Sequence, residues 1–153
     1  MRVEAVVFDI GNVLIEWNPE RFYDATIGEI RRREMFTIVD LHEMNDRVDR
    51  GAPFKETIYE TAEQYPDFRT EIRMWFDNWI EMASPEIPHS TILLRALQRN
   101  RVPVFALSNF GIGSFEYAET IYPVLGEFDR RYVSGYMKVV KPDATIYQML
   151  EDD

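Results

Sequence analysis

A chain of 153 residues, 46% of them hydrophobic and 14% aromatic, holds enough apolar surface for one globular domain with a real core. Its formal net charge of −10 argues against nucleic acid or an anionic membrane as partner, because both demand basic patches. The sequence has no cysteine, which excludes disulfides, zinc–thiolate sites and thiol catalysis.

Met1 leads directly into the first apolar run, which predicts no signal peptide. No apolar run approaches the ~18 residues of a membrane span, so a cytoplasmic protein is expected. "VEAVVFDI" (3–10) is nearly continuous in β-formers and reads as a strand buried on both faces, as in parallel α/β sheets. Asn18 before Pro19 is an N-cap with a first-turn proline and opens a helix over "PERFYDATI". A second helix is predicted across much of 29–44. Within it "RRR" (31–33), flanked by Glu29 and Glu34, reads as a solvated helix face. "NDRVDRGAP" (45–53) reads as a polar turn and 53–65 as an amphipathic helix. After the Pro66 break, 68–82 places Ile72, Trp75, Phe76 and Trp79 on one apolar helix face.

A "SPEIP" break (84–88) and a helix over 89–100 return the chain to a second strand, "VPVFALSN" (102–109). A helix near 113–125, a weaker third strand at 130–136 and a final helix from 142 complete the pattern. The prediction is an α/β core with a helical module inserted after its first strand. The last helix stops without a C-cap, and three parallel strands leave the first strand's far edge unpaired. The core is therefore expected to be incomplete at its C-terminus, the polypeptide continuing past Asp153.

Three short signals follow strand ends, where open α/β sheets bind ligands. They are Asp9, the pair Ser108-Asn109, and Lys141-Pro142-Asp143. A carboxylate can attack an electrophile and hold it as an ester. A hydroxyl and free N–H groups can bind that group's oxygens, and a lysine can balance the developing charge. Those are the parts of a phosphoryl-transfer site.

"FDIGNVL", "ALSNF" and "KPDATIY", in this order, resemble the first three motifs of the haloacid dehalogenase-like (HAD-like) hydrolases. The Asp-x-Gly-Asn-Val form, with "LIEWNPERFY", "DRVDRG" and "VSGYMKVVKPD", resembles the subgroup holding glucose-1-phosphate phosphatase-type sugar phosphatases. The resemblance implies a Rossmann-like core over 1–16 and 85–153 and a helical cap over 17–84. It implies Asp9 as nucleophile and Mg²⁺ ligand, with the Gly11 backbone carbonyl as a second ligand. Ser108 and Asn109 would bind phosphate and Lys141 would balance charge, with Lys138 its rival. Asp46, Asp49 and Arg50 are candidates for substrate specificity from the cap.

Two departures bear on the chemistry. Most phosphatases that the sequence resembles carry an acid where Gly11 stands, and glycine has no proton to give. The fourth, acidic motif should lie beyond "EDD" (151–153). The expected activity is Mg²⁺-dependent hydrolysis of a small phosphorylated metabolite, sugar phosphates included. Alternatives are a metal-free 2-haloacid dehalogenase using Asp9 and a non-catalytic domain that keeps the fold.

Overall fold

The computed structural model of the protein describes residues 2–153, so Met1, read above as leading into the first strand, lies outside them. Strands β1 (Val6–Phe8), β2 (Val104–Ser108) and β3 (Arg130–Val133) form a parallel sheet in the order β1-β2-β3. Val6 pairs with Val104 and Ser108 with Val133 in its two ladders. Parallel strands need long crossovers, and both connections supply helices. β1 borders the sheet among the described residues and exposes Val7, so it is not buried on both faces as its composition predicted.

Between β1 and β2 run α1 (Pro19–Ile27), α2 (Glu29–Ile38), α3 (Leu41–Asp49), α4 (Phe54–Gln64), α5 (Arg69–Asp77), α6 (Trp79–Met82) and α7 (Pro88–Arg99). Asn18 caps α1 as its spacing predicted, its Oδ1 accepting the Arg21 N–H at 3.0 Å. The chain enters and leaves the helical module along one seam. Glu16 donates its N–H to Pro85 O, Asn18 to Met82 O, and Ile87 to Leu14 O.

Two sequence expectations are corrected here. The predicted helix over 29–44 is two helices, because Asp40 caps a fresh start by accepting the Glu43 N–H at 2.9 Å. The "polar turn" from 45 is the second half of α3. Its charges are helical pairs four residues apart, Glu43 with Arg47 and Asp46 with Arg50, which support the helix. Further on, the third strand ends at Val133 and a single helical turn, α9 (Ser134–Met137), follows. The remaining elements are α8 (Ile112–Ile121) between β2 and β3, and α10 (Ala144–Asp152) after α9.

The core is continuous from sheet to helical module, running from Phe8 and Ala106 through Leu14 to Trp75 and Ile58. Ile72, Trp75 and Trp79 of the predicted stripe are buried and Phe76 is partly so. Trp17 lies edge-on to Trp75, with ring centroids 5.8 Å apart, and 6.0 Å from Trp79. The basic run is more than a solvated face. Arg32 forks onto Asp24 of α1, and Arg31 reaches Glu71 of α5 while stacking on Phe68. No helix among the described residues is long and apolar enough to cross a membrane.

Candidate active site

Asp9 directly follows β1, and the loop after it is built around one carbonyl. Val13, Leu14 and Ile15 all donate their N–H groups to Ile10 O. Asn12 adopts φ 59°, a left-handed conformation that Asn tolerates better than most residues, and its Oδ1 accepts the Trp17 N–H at 2.8 Å. This tight loop holds the Asp9 carboxylate at the carboxyl edge of the sheet.

Each Asp9 oxygen has one partner. Oδ1 accepts the Ile10 N–H at 2.7 Å, and Oδ2 accepts from Lys141 Nζ at 2.8 Å. Lys141 Nζ also donates to Leu107 O at 3.1 Å. The Asp9 side chain keeps 42% of its surface open, against 20% for Lys141. One lysine thus braces the carboxylate from the strand side and leaves its outer face accessible. Lys138, the rival lysine, caps α9 in a left-handed conformation and makes no bond to Asp9.

The Asn109 side-chain amide is engaged within the protein. Its Oδ1 accepts the Lys141 N–H at 2.7 Å and its Nδ2 donates to Lys141 O at 3.0 Å. The amide therefore clamps the Lys141 backbone, which aims the ammonium at Asp9. Ser108, the last residue of β2, is buried.

A cavity of about 220 Å³ opens beside the loop that follows Asp9; of the predicted site residues Gly11, Asp49 and Asn109 line it, whereas Asp9, Ser108 and Lys141 do not. Ile10, Gly11, Asn109, Phe110 and Ser114 line it from the core side. Trp17, Asn45, Asp49 and Trp79 line it from the helical side, with Glu16 and Ala83 at the seam. Of the three residues singled out in "DRVDRG", only Asp49 reaches this wall. Asp46 and Arg50 pair with each other at 2.9 Å, both about half exposed. The last turn of α3 is anchored to the core, because Ser134 Oγ donates to Asp49 O at 2.6 Å and accepts the Phe110 N–H at 2.8 Å.

Asp49 is electrostatically unusual. Burial, followed by the nearby charge of Asp46, pushes its carboxyl up to about 7, and the Gly111 N–H at the start of α8 opposes the shift. Asn45 Nδ2 donates to Asp49 Oδ2 at 3.2 Å, while Asn45 Oδ1 accepts the Trp75 indole N–H at 3.2 Å. Sequence reading missed Trp17, Asn45 and Ser114. Asn45's position one helical turn before Asp49 was its only signal.

No family model matches the sequence, and no curated protein does. Solved structures do. A HAD family enzyme from Bacteroides thetaiotaomicron, crystallised with magnesium and inorganic phosphate, superposes with a TM-score of 0.73 at 21% identity. The match covers 99% of this chain and 79% of that one. The chain has the fold of the HAD family enzymes. A protein described as a predicted HAD-like family hydrolase from Porphyromonas gingivalis matches with a TM-score of 0.65 at 22% identity, over 99% of this chain and 76% of its own. In this HAD-like fold, Asp9 and Lys141 meet at the carboxyl edge of the sheet, where β2 ends at Ser108.

Proposed function

We propose that the protein is a Mg²⁺-dependent phosphatase that hydrolyses a small phosphorylated metabolite through a phospho-Asp9 intermediate. The carrying observation is the Lys141–Asp9 contact at 2.8 Å, which holds a half-open carboxylate just past the end of β1. A carboxylate braced by a lysine, with 42% of the side chain's surface still open, is placed for attack on phosphorus. Lys141 stabilises charge as it develops, and Ser108 offers its hydroxyl to a phosphoryl oxygen. Asn109 keeps Lys141 in register.

The oxygens beside the cavity suit a hard cation. The Gly11 carbonyl accepts no hydrogen bond among the described residues, and Asp9 has lone pairs to spare. Those residues contain no group of three or more His, Asp or Glu side chains that could hold a metal. Mg²⁺ tolerates that poverty, since it keeps several waters and commonly binds through one or two carboxylates plus substrate phosphate. Asp9 and the Gly11 carbonyl would hold it here. When bound, the ion neutralises charge on the transferring group.

Residues 17–84 act in this reading as a cap over the core formed by 1–16 and 85–153. Its two connections lie side by side at Glu16–Pro85 and Asn18–Met82, a hinge-like seam. A cavity of about 220 Å³ walled by Trp17 and Trp79 fits a small organic phosphate, sugar phosphates among them, better than a macromolecule. The resemblance to the glucose-1-phosphate phosphatase-type subgroup points the same way. The test is phosphate release by the purified protein from a panel of phosphomonoesters with Mg²⁺, alongside Asp9→Asn. Turnover that disappears in the variant is expected. An Asp9→Asn protein as active as wild type, or a wild type inert across the panel, overturns the reading.

A further inference from the structure

A phosphate monoester with an alkoxide leaving group needs a proton, and Gly11 cannot supply one. Two acids line the cavity, Glu16 and Asp49. Glu16 is committed to Arg21, its Oε2 accepting from the guanidinium at 2.7 Å. Asp49 has no cation partner. The arginine beside it, Arg50, turns away to Asp46, and Arg47 pairs with Glu43. From the core side only neutral groups face Asp49, namely the Gly111 N–H and, beneath its backbone, the Ser134 hydroxyl. Lys138 lies along the following turn, its Cγ near Gly51, and makes no bond to the carboxylate.

We propose that Asp49 is the general acid–base of the reaction, working across the cavity from the Asp9 loop, with Asn45 and Trp75 as its positioning residues. The assignment rests on the phosphatase reading above and adds the group that handles the proton. In the first step an Asp9 carboxylate oxygen bonds to phosphorus, the ester P–O bond breaks, and the Asp49 carboxyl gives its proton to the leaving oxygen. In the second, water bonds to phosphorus, the P–O bond to Asp9 breaks, and the Asp49 carboxylate takes the water's proton. Asp9 and protonated Asp49 are both regenerated, and the products are an alcohol and phosphate.

The surroundings suit that role. Burial and the Asp46 charge hold the carboxyl at about 7, so both protonation states are populated near neutrality. The Trp75 indole N–H occupies the Asn45 carbonyl, which leaves the amide NH₂ to orient Asp49 Oδ2.

The experiment compares wild type with Asp49→Asn and Asp49→Glu on two esters. p-Nitrophenyl phosphate has a leaving group that needs no proton, whereas glycerol 2-phosphate needs one. Asp49→Asn is expected to keep a rapid burst of about one p-nitrophenolate per enzyme and then turn over slowly, its phosphoenzyme waiting for water activation. Its cleavage of glycerol 2-phosphate should fall by ~10²–10⁴-fold, with Asp49→Glu recovering part of the loss. Equal slowing of the burst and of glycerol 2-phosphate cleavage overturns the assignment while leaving the phosphatase reading intact, as does no effect on either ester. A wild type inert towards both esters overturns the reading and the assignment together.

Discussion

Replacing Gly51 by Ala tests how the helical module is held against the core. Gly51 has φ 108°, and a Cβ built there would stand 2.7 Å from the Gly135 carbonyl oxygen. Two penalties therefore combine. The backbone conformation costs an alanine about 1–3 kcal/mol, and separating two packed backbone segments costs about 1–3 kcal/mol more. Gly28→Ala isolates the first penalty, since Gly28 has φ 86° but a Cβ there meets nothing within 4 Å. Gly126→Ala carries neither, because Gly126 has no positive φ and open space around its Cβ, so it is expected to stabilise by about 0.4–1 kcal/mol. Urea unfolding followed by far-UV circular dichroism gives the three free energies. For a chain of this length each kcal/mol moves Tm by about 2–4 °C. The expected order of stability is Gly126→Ala, wild type, Gly28→Ala, Gly51→Ala. If Gly51→Ala loses no more than Gly28→Ala, the close approach of the Gly51 turn to Gly135 is refuted, and with it the anchoring of Asp49.

Two further outcomes follow from the cavity. A carboxyl held at about 7 in the folded protein keeps its proton where the unfolded chain has already lost one, so its contribution is full below about pH 4 and disappears as pH rises through 7. The stability of wild type relative to Asp49→Asn, measured by urea titration at pH 4.5 and pH 8, should fall by up to roughly 4 kcal/mol between them, and a pH-independent difference contradicts the shift. Gly11→Asp should fold within about 0.5 kcal/mol of wild type, since a Cβ there meets nothing within 4 Å. In an Asp49→Asn background it should also raise glycerol 2-phosphate cleavage about tenfold or more by returning an acid to the cavity from its opposite, core side, as a phosphate-release assay would read.

The parts of the fold that the sequence announced are those governed by local chemistry. Continuous β-formers marked β1 and β2, and the Asn18–Pro19 pair marked the start of α1, because strand burial and N-capping act within a few residues. The region 39–49 was misread because its charges look solvated in a linear string, while their spacing pairs them along a helix. The proximity of Asp9 and Lys141 was legible only through motif order, as 132 positions separate them. Nothing local could reveal that the Asn109 amide grips the Lys141 backbone, or that Trp75 sets the orientation of Asn45. Both contacts arise from elements brought together by the crossovers.

The aromatic packing carries a spectroscopic consequence. The protein has three tryptophans, and they form one cluster, with Trp17 and Trp79 on the cavity wall and Trp75 behind Trp17. All indole emission therefore originates within a few ångströms of where substrate would sit. A ligand that displaces water from these rings changes the colour and yield of the whole signal, with no distant indole to dilute it. The fold thus contains its own optical reporter of occupancy.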